Sequence, residues 1–199
     1  MTRMSLVVVT LCLAASDTVA ASKREISRTL VTAGPYTIVV TEGESEPASV
    51  GSYSVLVYRD DPKLYGEFVA GKVAKRDGSI AKAWVATLSE SEESHHVIVW
   101  CQSSGSGSYG SLDVYELNRK GQLRQIALPK MSEFIGYMGH DRFFLKGRTL
   151  YREFPIYQSG DPMSRPSGGL ARYRLDWKLK RWVQPDKYDP STLPKPKAD

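Results

Sequence analysis

Short runs of β-branched and aromatic residues recur along this sequence, each closed off by Gly, Pro, Asp or Ser, while helical periodicity is nearly missing. Branched and aromatic side chains suit a pleated surface, and the closing residues let the chain turn, so each run reads as a strand. The pattern predicts strands at 36–41, 52–59, 67–74, 80–87, 95–102, 108–117, 123–127, 142–145, 149–154, 170–175 and 181–183. Asp77-Gly78 and Lys120-Gly121 place a glycine where a hairpin turn calls for positive φ. Only one short helix fits, near 131–137.

Alternation within the runs says what the strands pack against. In 52–59, Tyr53, Val55, Val57 and Arg59 face one way, and Ser54, Leu56 and Tyr58 the other. In 108–117, Tyr109, Ser111, Asp113, Tyr115 and Leu117 share one face, while Leu112, Val114 and Glu116 share the other. Both faces carry apolar weight, which calls for a second layer. The expected fold class is all-β, an antiparallel β-sandwich with a protruding Ser/Gly loop. The acidic stretches Glu42 to Glu46 and Glu90 to Glu93 read as solvated turns, and the second lacks the spacing of a calcium loop.

At the N-terminus, Arg3 precedes an apolar run from Leu6 to Ala15, which Asp17 and Thr18 end before the small residues Val19, Ala20 and Ala21. That is the form of a secretory signal peptide, with cleavage after Ala20 or Ala21. The run is about half the ~20 residues a membrane span needs. The expected organisation is a signal peptide at 1–21, one sandwich domain at 22–184 and a flexible Pro/Lys-rich tail at 185–199. Cys12 leaves with the signal, and Leu11 before it is too large for an acylation site. Cys101 then stands without an intramolecular partner in an oxidising compartment; its place in Val97-Ile98-Val99-Trp100-Cys101 reads as a small buried hydrophobe.

Charge is uneven. Twenty-seven Lys and Arg against 22 Asp and Glu give +5, too mild for a dedicated nucleic-acid binder. Residues 22–140 hold 13 basic and 14 acidic side chains, whereas 141–199 hold 13 and 7. The C-terminal third is the electropositive part, and one reading makes it the contact surface of an envelope module that binds a glycan or another protein.

Catalytic signatures are weak. His95 and His96 are adjacent and would point to opposite faces of a strand, so with His140 they form no metal cluster. The G-x-S-x-G spacing is not met, since Gly105 is followed two residues on by Gly107, and Gly107 by Tyr109. A serine nucleophile with His140 and Asp141 as partners lacks supporting spacing. No catalytic residue, metal or cofactor is expected.

One segment stands out. Gln102-Ser103-Ser104-Gly105-Ser106-Gly107-Ser108-Tyr109-Gly110 joins two strong strand runs, is longer than a hairpin requires, and ends in an aromatic residue beside glycine. It offers hydroxyls and accessible amides with little bulk, suited to a narrow polar cleft.

Ser106-Gly107-Ser108-Tyr109 resembles the S-G-x-Y motif of the periplasmic inhibitors of invertebrate-type (i-type) lysozyme. Val50-Gly51-Ser52-Tyr53-Ser54-Val55, Phe68-Val69-Ala70-Gly71 with Arg76-Asp77-Gly78, and Phe154-Pro155-Ile156-Tyr157 followed by Gly168-Gly169 look like family segments in family order, over roughly 34–184. The resemblance implies a non-catalytic periplasmic inhibitor of a Gram-negative envelope that presents Ser104, Gly105, Ser106, Gly107, Ser108 and Tyr109 to the lysozyme active site. An i-type target is favoured, with c-type as the alternative. The polar stretch 157–169 is a candidate second contact, and an exposed sheet edge a candidate for pairing two copies.

Overall fold

The computed structural model describes residues 28–60, 66–88, 94–128 and 136–184. Its strands are β1 (Arg28–Ala33), β2 (Tyr36–Glu42), β3 (Val50–Arg59), β4 (Glu67–Asp77), β5 (Ser79–Ala86), β6 (Ser94–Gln102), β7 (Gly110–Asn118), β8 (Leu123–Ile126), β9 (Arg142–Lys146), β10 (Thr149–Pro155), β11 (Leu170–Asp176) and β12 (Arg181–Val183). They form three four-stranded antiparallel sheets, ordered β1-β2-β3-β4, β5-β6-β7-β8 and β12-β11-β10-β9.

Every strand read from the sequence is present, with ends shifted by a residue or a few. β1 is the addition. It pairs with β2 across Gly34-Pro35, with Gly34 at φ 58°. Only Thr29, Val31 and Ala33 turn inward, while Arg28, Leu30 and Thr32 are exposed. Such an edge strand carries too little apolar weight to announce itself.

The sandwich has three layers rather than two. Ile38 and Val40 of β2, with Tyr53, Val55 and Val57 of β3, pack against Val97, Val99 and Cys101 of β6 and Tyr115 and Leu117 of β7. Ile98 and Val114 point the other way, with Trp84 and Leu112, onto Leu145, Leu150, Leu175 and Trp182 of the third sheet. The middle sheet is thus covered on both faces, and Val97, Ile98 and Val99 each have 0% exposure. Burying an aliphatic side chain stabilises by roughly 1.5–3 kcal/mol, so β6 anchors two cores at once. That explains its unbroken apolar run, where an alternating pattern marks a strand covered on one face.

In the Glu42 to Glu46 stretch, Glu44 and Ser45 form an exposed turn, while the two flanking acids are tied into the structure. Glu42 is buried and its Oε1 accepts the Ile80 N–H at 2.6 Å. Glu46 accepts from the Ser52 N–H at 2.5 Å and hydroxyl at 2.8 Å and lies 3.7 Å from Arg76. Buried Arg76 donates to the carbonyls of Ser52, Ala48 and Pro47, each at 3.0 Å, and to that of Gly78. Unpaired buried charges are strongly unfavourable, so Glu42 and Arg76 are buried only because partners meet them. Gly51 follows from the same clamp, since a Cβ there would lie 2.3 Å from Glu46 Oε2.

The signal sequence, Glu90 to Glu93, the 185–199 tail and most of the 131–137 helix fall outside the described residues. Tyr137, within that last range, forms an isolated antiparallel bridge with Ile156. Among the described residues no helix is long and apolar enough to cross a membrane.

Candidate functional site

The Ser/Gly segment links β6 to β7 and is tied at its root. The Ser103 N–H donates to the Tyr109 carbonyl at 2.8 Å, and the Tyr109 N–H donates to Ser103 Oγ at 2.9 Å. Gln102 Nε2 donates to the Ser108 carbonyl at 2.6 Å. At the tip the Ser108 N–H closes onto the Gly105 carbonyl at 3.1 Å, with Ser108 at φ 42°. These bonds satisfy backbone groups that would otherwise favour many competing conformations.

The six residues singled out from the sequence divide by exposure. Ser104, Gly105 and Ser106 are exposed, and Tyr109 is 48% exposed. Gly107 is buried: a Cβ would meet the Tyr109 ring at 2.4 Å and the Met138 carbonyl at 3.1 Å. Ser108 is half-buried, with its hydroxyl 3.3 Å from the Gly105 carbonyl. Gly107 and Ser108 therefore shape the loop, while Ser104, Ser106 and Tyr109 present its chemistry. No residue from Gln102 to Gly110 carries a charge.

Two further features flank the loop. At its root, Gly78 (φ 82°) leaves no room, because a Cβ would sit 1.7 Å from the Gln102 carbonyl oxygen. On its other side runs the segment from Gly136 to Asp141, which the sequence did not flag as part of the site. The His140 N–H donates to the Gly107 carbonyl at 2.6 Å, and Asp141 Oδ2 accepts the Gly110 N–H at 2.8 Å. The Tyr137 hydroxyl donates to the same oxygen at 2.5 Å, and buried Arg152 donates its Nε–H to Asp141 Oδ1 at 2.5 Å. Burial, then the Asp141 carboxylate, pushes the Tyr137 phenol up, so it stays a donor. The Tyr137 ring stands edge-on to Tyr109 at 5.7 Å.

This arrangement removes the serine-nucleophile reading. Asp141 is taken up by Gly110, Tyr137 and Arg152, and the His140 ring stacks on Tyr157 at 6.3 Å. Among the described residues no group of three His, Cys, Asp or Glu side chains could hold a metal. The basic C-terminal third is also partly neutralised from within. Glu153, itself buried, pairs with Arg172 and lies 4.0 Å from Arg142.

The sequence model of one protein family, the periplasmic lysozyme inhibitors of I-type lysozyme, matches residues 27–134. The chain belongs to this family. Its members are inhibitors and not enzymes. The match takes in β1 to β8 and the whole Ser/Gly loop but stops short of the third sheet. The likeness is thus shorter than the 34–184 the motifs implied, with Phe154 to Tyr157 and Gly168-Gly169 beyond it. The chain is similar to PliI-Ah, the periplasmic lysozyme inhibitor of I-type lysozyme from Aeromonas hydrophyla, at 35% identity over 50% of this chain and 84% of that one, with a TM-score of 0.46. It is likewise similar to Aeromonas hydrophila PliI crystallised in complex with Meretrix lusoria lysozyme, at 35% identity over 52% of this chain and 82% of that one, with a TM-score of 0.44. No curated protein matches the chain.

Proposed function

We propose that this family member inhibits i-type lysozyme by seating the tip of its Ser/Gly loop in the active-site cleft. The observation that carries the reading is the loop itself: uncharged, with Ser104, Ser106 and Tyr109 turned outward on a root tied to two strands. A lysozyme cleft holds two carboxylates about the scissile bond. The Ser106 hydroxyl donates to a carboxylate, and such charge-assisted bonds are worth roughly 1.5–3 kcal/mol. Tyr109 adds a flat apolar face with a polar tip, a frequent interface anchor. An acidic side chain at the tip would be repelled by those carboxylates; none is there, and nearby Asp141 is turned inside. Occupying the cleft excludes peptidoglycan without chemistry by the inhibitor. The family is periplasmic, and residues 1–21 are read as the cleavable signal that takes the chain there. β4 is the sheet edge best suited to pair two copies, with Phe68 and Val73 exposed.

The test titrates the protein against c-, g- and i-type lysozymes in a cell-lysis assay, beside the double variant Ser106→Ala, Tyr109→Ala. Inhibition is expected for the i-type enzyme, with a loss of at least about 100-fold in the double variant while its circular dichroism stays native. Undiminished inhibition by the double variant overturns the loop reading.

A further inference from the structure

The third sheet lies beyond the family match, yet a buried chain of contacts runs from it into the loop. Arg152 of β10 is 1% exposed, and its guanidinium lies over the rings of Tyr137 at 4.7 Å, Phe154 at 4.9 Å and Phe143 at 5.7 Å. Its Nε–H fixes Asp141, whose other oxygen takes the Gly110 N–H, where β7 begins, and the Tyr137 hydroxyl. One residue earlier, the His140 N–H holds the Gly107 carbonyl. The backbone approach is so close that a Cβ on Gly139 (φ 92°) would lie 1.8 Å from the Gly107 oxygen. The segment is held from behind as well, since the Tyr157 N–H donates to the Gly136 carbonyl at 2.9 Å.

We infer that the third sheet is a positioning device for the inhibitory loop: Arg152 and Tyr137 act through Asp141, and Gly139 with His140 through Gly107, to hold the tip in one geometry before a partner arrives. This rests on the proposed role of the loop. A loop that must be ordered on binding loses affinity in proportion to the freedom it gives up, and a braced one does not. Arg152, Asp141 and Tyr137 are on this account positioning residues that never touch lysozyme. The bracing is built from charge-assisted bonds inside a dry, aromatic-walled site, where each counts for more than on the surface.

The decisive variants are Tyr137→Phe, which removes one hydroxyl and keeps the ring, and Asp141→Asn, which keeps the shape and removes the charge. Amide exchange of Gly107, Ser108, Tyr109 and Gly110, read by NMR without lysozyme, is expected to quicken in both, with β2 and β3 amides unchanged. Affinity for i-type lysozyme is expected to fall by about 3- to 10-fold. Asp141→Asn leaves Arg152 buried without a counter-charge; if that variant does not fold, Tyr137→Phe alone decides. Wild-type exchange in the four loop amides of Tyr137→Phe overturns the brace. Faster exchange with undiminished affinity also overturns it, provided the Ser106→Ala, Tyr109→Ala variant has lost inhibition. If that double variant still inhibits, the loop reading has failed, and the exchange data judge the brace separately.

Discussion

The hydroxyl of Tyr53 in β3 lies 2.7 Å from the hydroxyl of Tyr115 in β7, joining the first sheet to the second through the middle of their shared core. Tyr53 also donates to Asp113 Oδ2 at 2.6 Å, and Asp113 Oδ1 accepts from Gln125 at 3.0 Å. Burial, then Asp113 and Tyr115, raises the Tyr53 phenol, while burial pushes Tyr115 up to about 12 against the opposing pull of the Tyr53 hydrogen bond, so both stay protonated. Tyr53→Phe keeps the ring and strips Asp113 and Tyr115 of a partner, so a loss of about 1.5–3 kcal/mol is expected in urea unfolding. A smaller loss is expected for Tyr115→Phe, which leaves the Tyr53–Asp113 bond intact.

Stability should weaken in mild acid through His96. Its Nδ1 accepts the Leu88 N–H at 3.2 Å, and its ring stands edge-on to Trp177 at 4.6 Å, where the second and third sheets meet. Burial lowers its pKa from 6.5 despite the opposing pull of Glu116; Lys180 and His95 add a little to the lowering. The neutral ring is therefore the folded form. Well above pH 6.5 neither folded nor unfolded chain is protonated there, and the contribution is full. As the pH falls below 6.5 the unfolded chain takes up the proton first, and stability drops until the folded pKa is passed. The urea midpoint should decline from pH 7 to 5, and His96→Gln should flatten that slope. Glu116, held low chiefly by Arg124, adds its own loss only as the pH falls below 4.5.

Cys101 should behave as a hydrocarbon. It is buried, and desolvation pushes its thiol up to about 12. Little thiolate exists at pH 8, and reagents cannot reach it. A disulfide reagent at that pH is expected to leave the native protein unlabelled and to titrate one thiol per signal-free chain in denaturant; rapid native labelling would contradict the packing described.

Gly78→Ala should damage the loop from its root. The residue needs φ 82°, and the added carbon would sit 1.7 Å from the Gln102 carbonyl. Backbone strain alone costs about 1–3 kcal/mol, and relieving the clash must move β6 or the turn. A fall in stability of at least about 2 kcal/mol is expected, together with weaker inhibition, whereas Gly147→Ala, with open space around it, should lose only the strain.

The strands were legible because alternation and turn residues are local signals: Tyr53, Val55 and Val57 face the core as their spacing indicates. The third layer left a trace in β6, whose consecutive apolar residues need two covered faces. The loop was legible as composition, and its exposed tip lies where that composition put it. What escaped was the inward turn of charge. Nothing in the spacing of Glu42, Arg76, Asp141 or Arg152 distinguishes them from surface residues, because a buried ion pair is defined by a partner distant in sequence. Asp141 and Arg152 come together only when β9 and β10 pair, and Gly110 meets them only when the third sheet docks.

The strand that feeds the loop is also the one least able to change. Substituting Val97 or Ile98 disturbs one or other of two oil-filled seams, whereas Ser104 to Ser106 touch no core at all. Mutation can therefore change the tip residues on an unaltered mount, without disturbing either core.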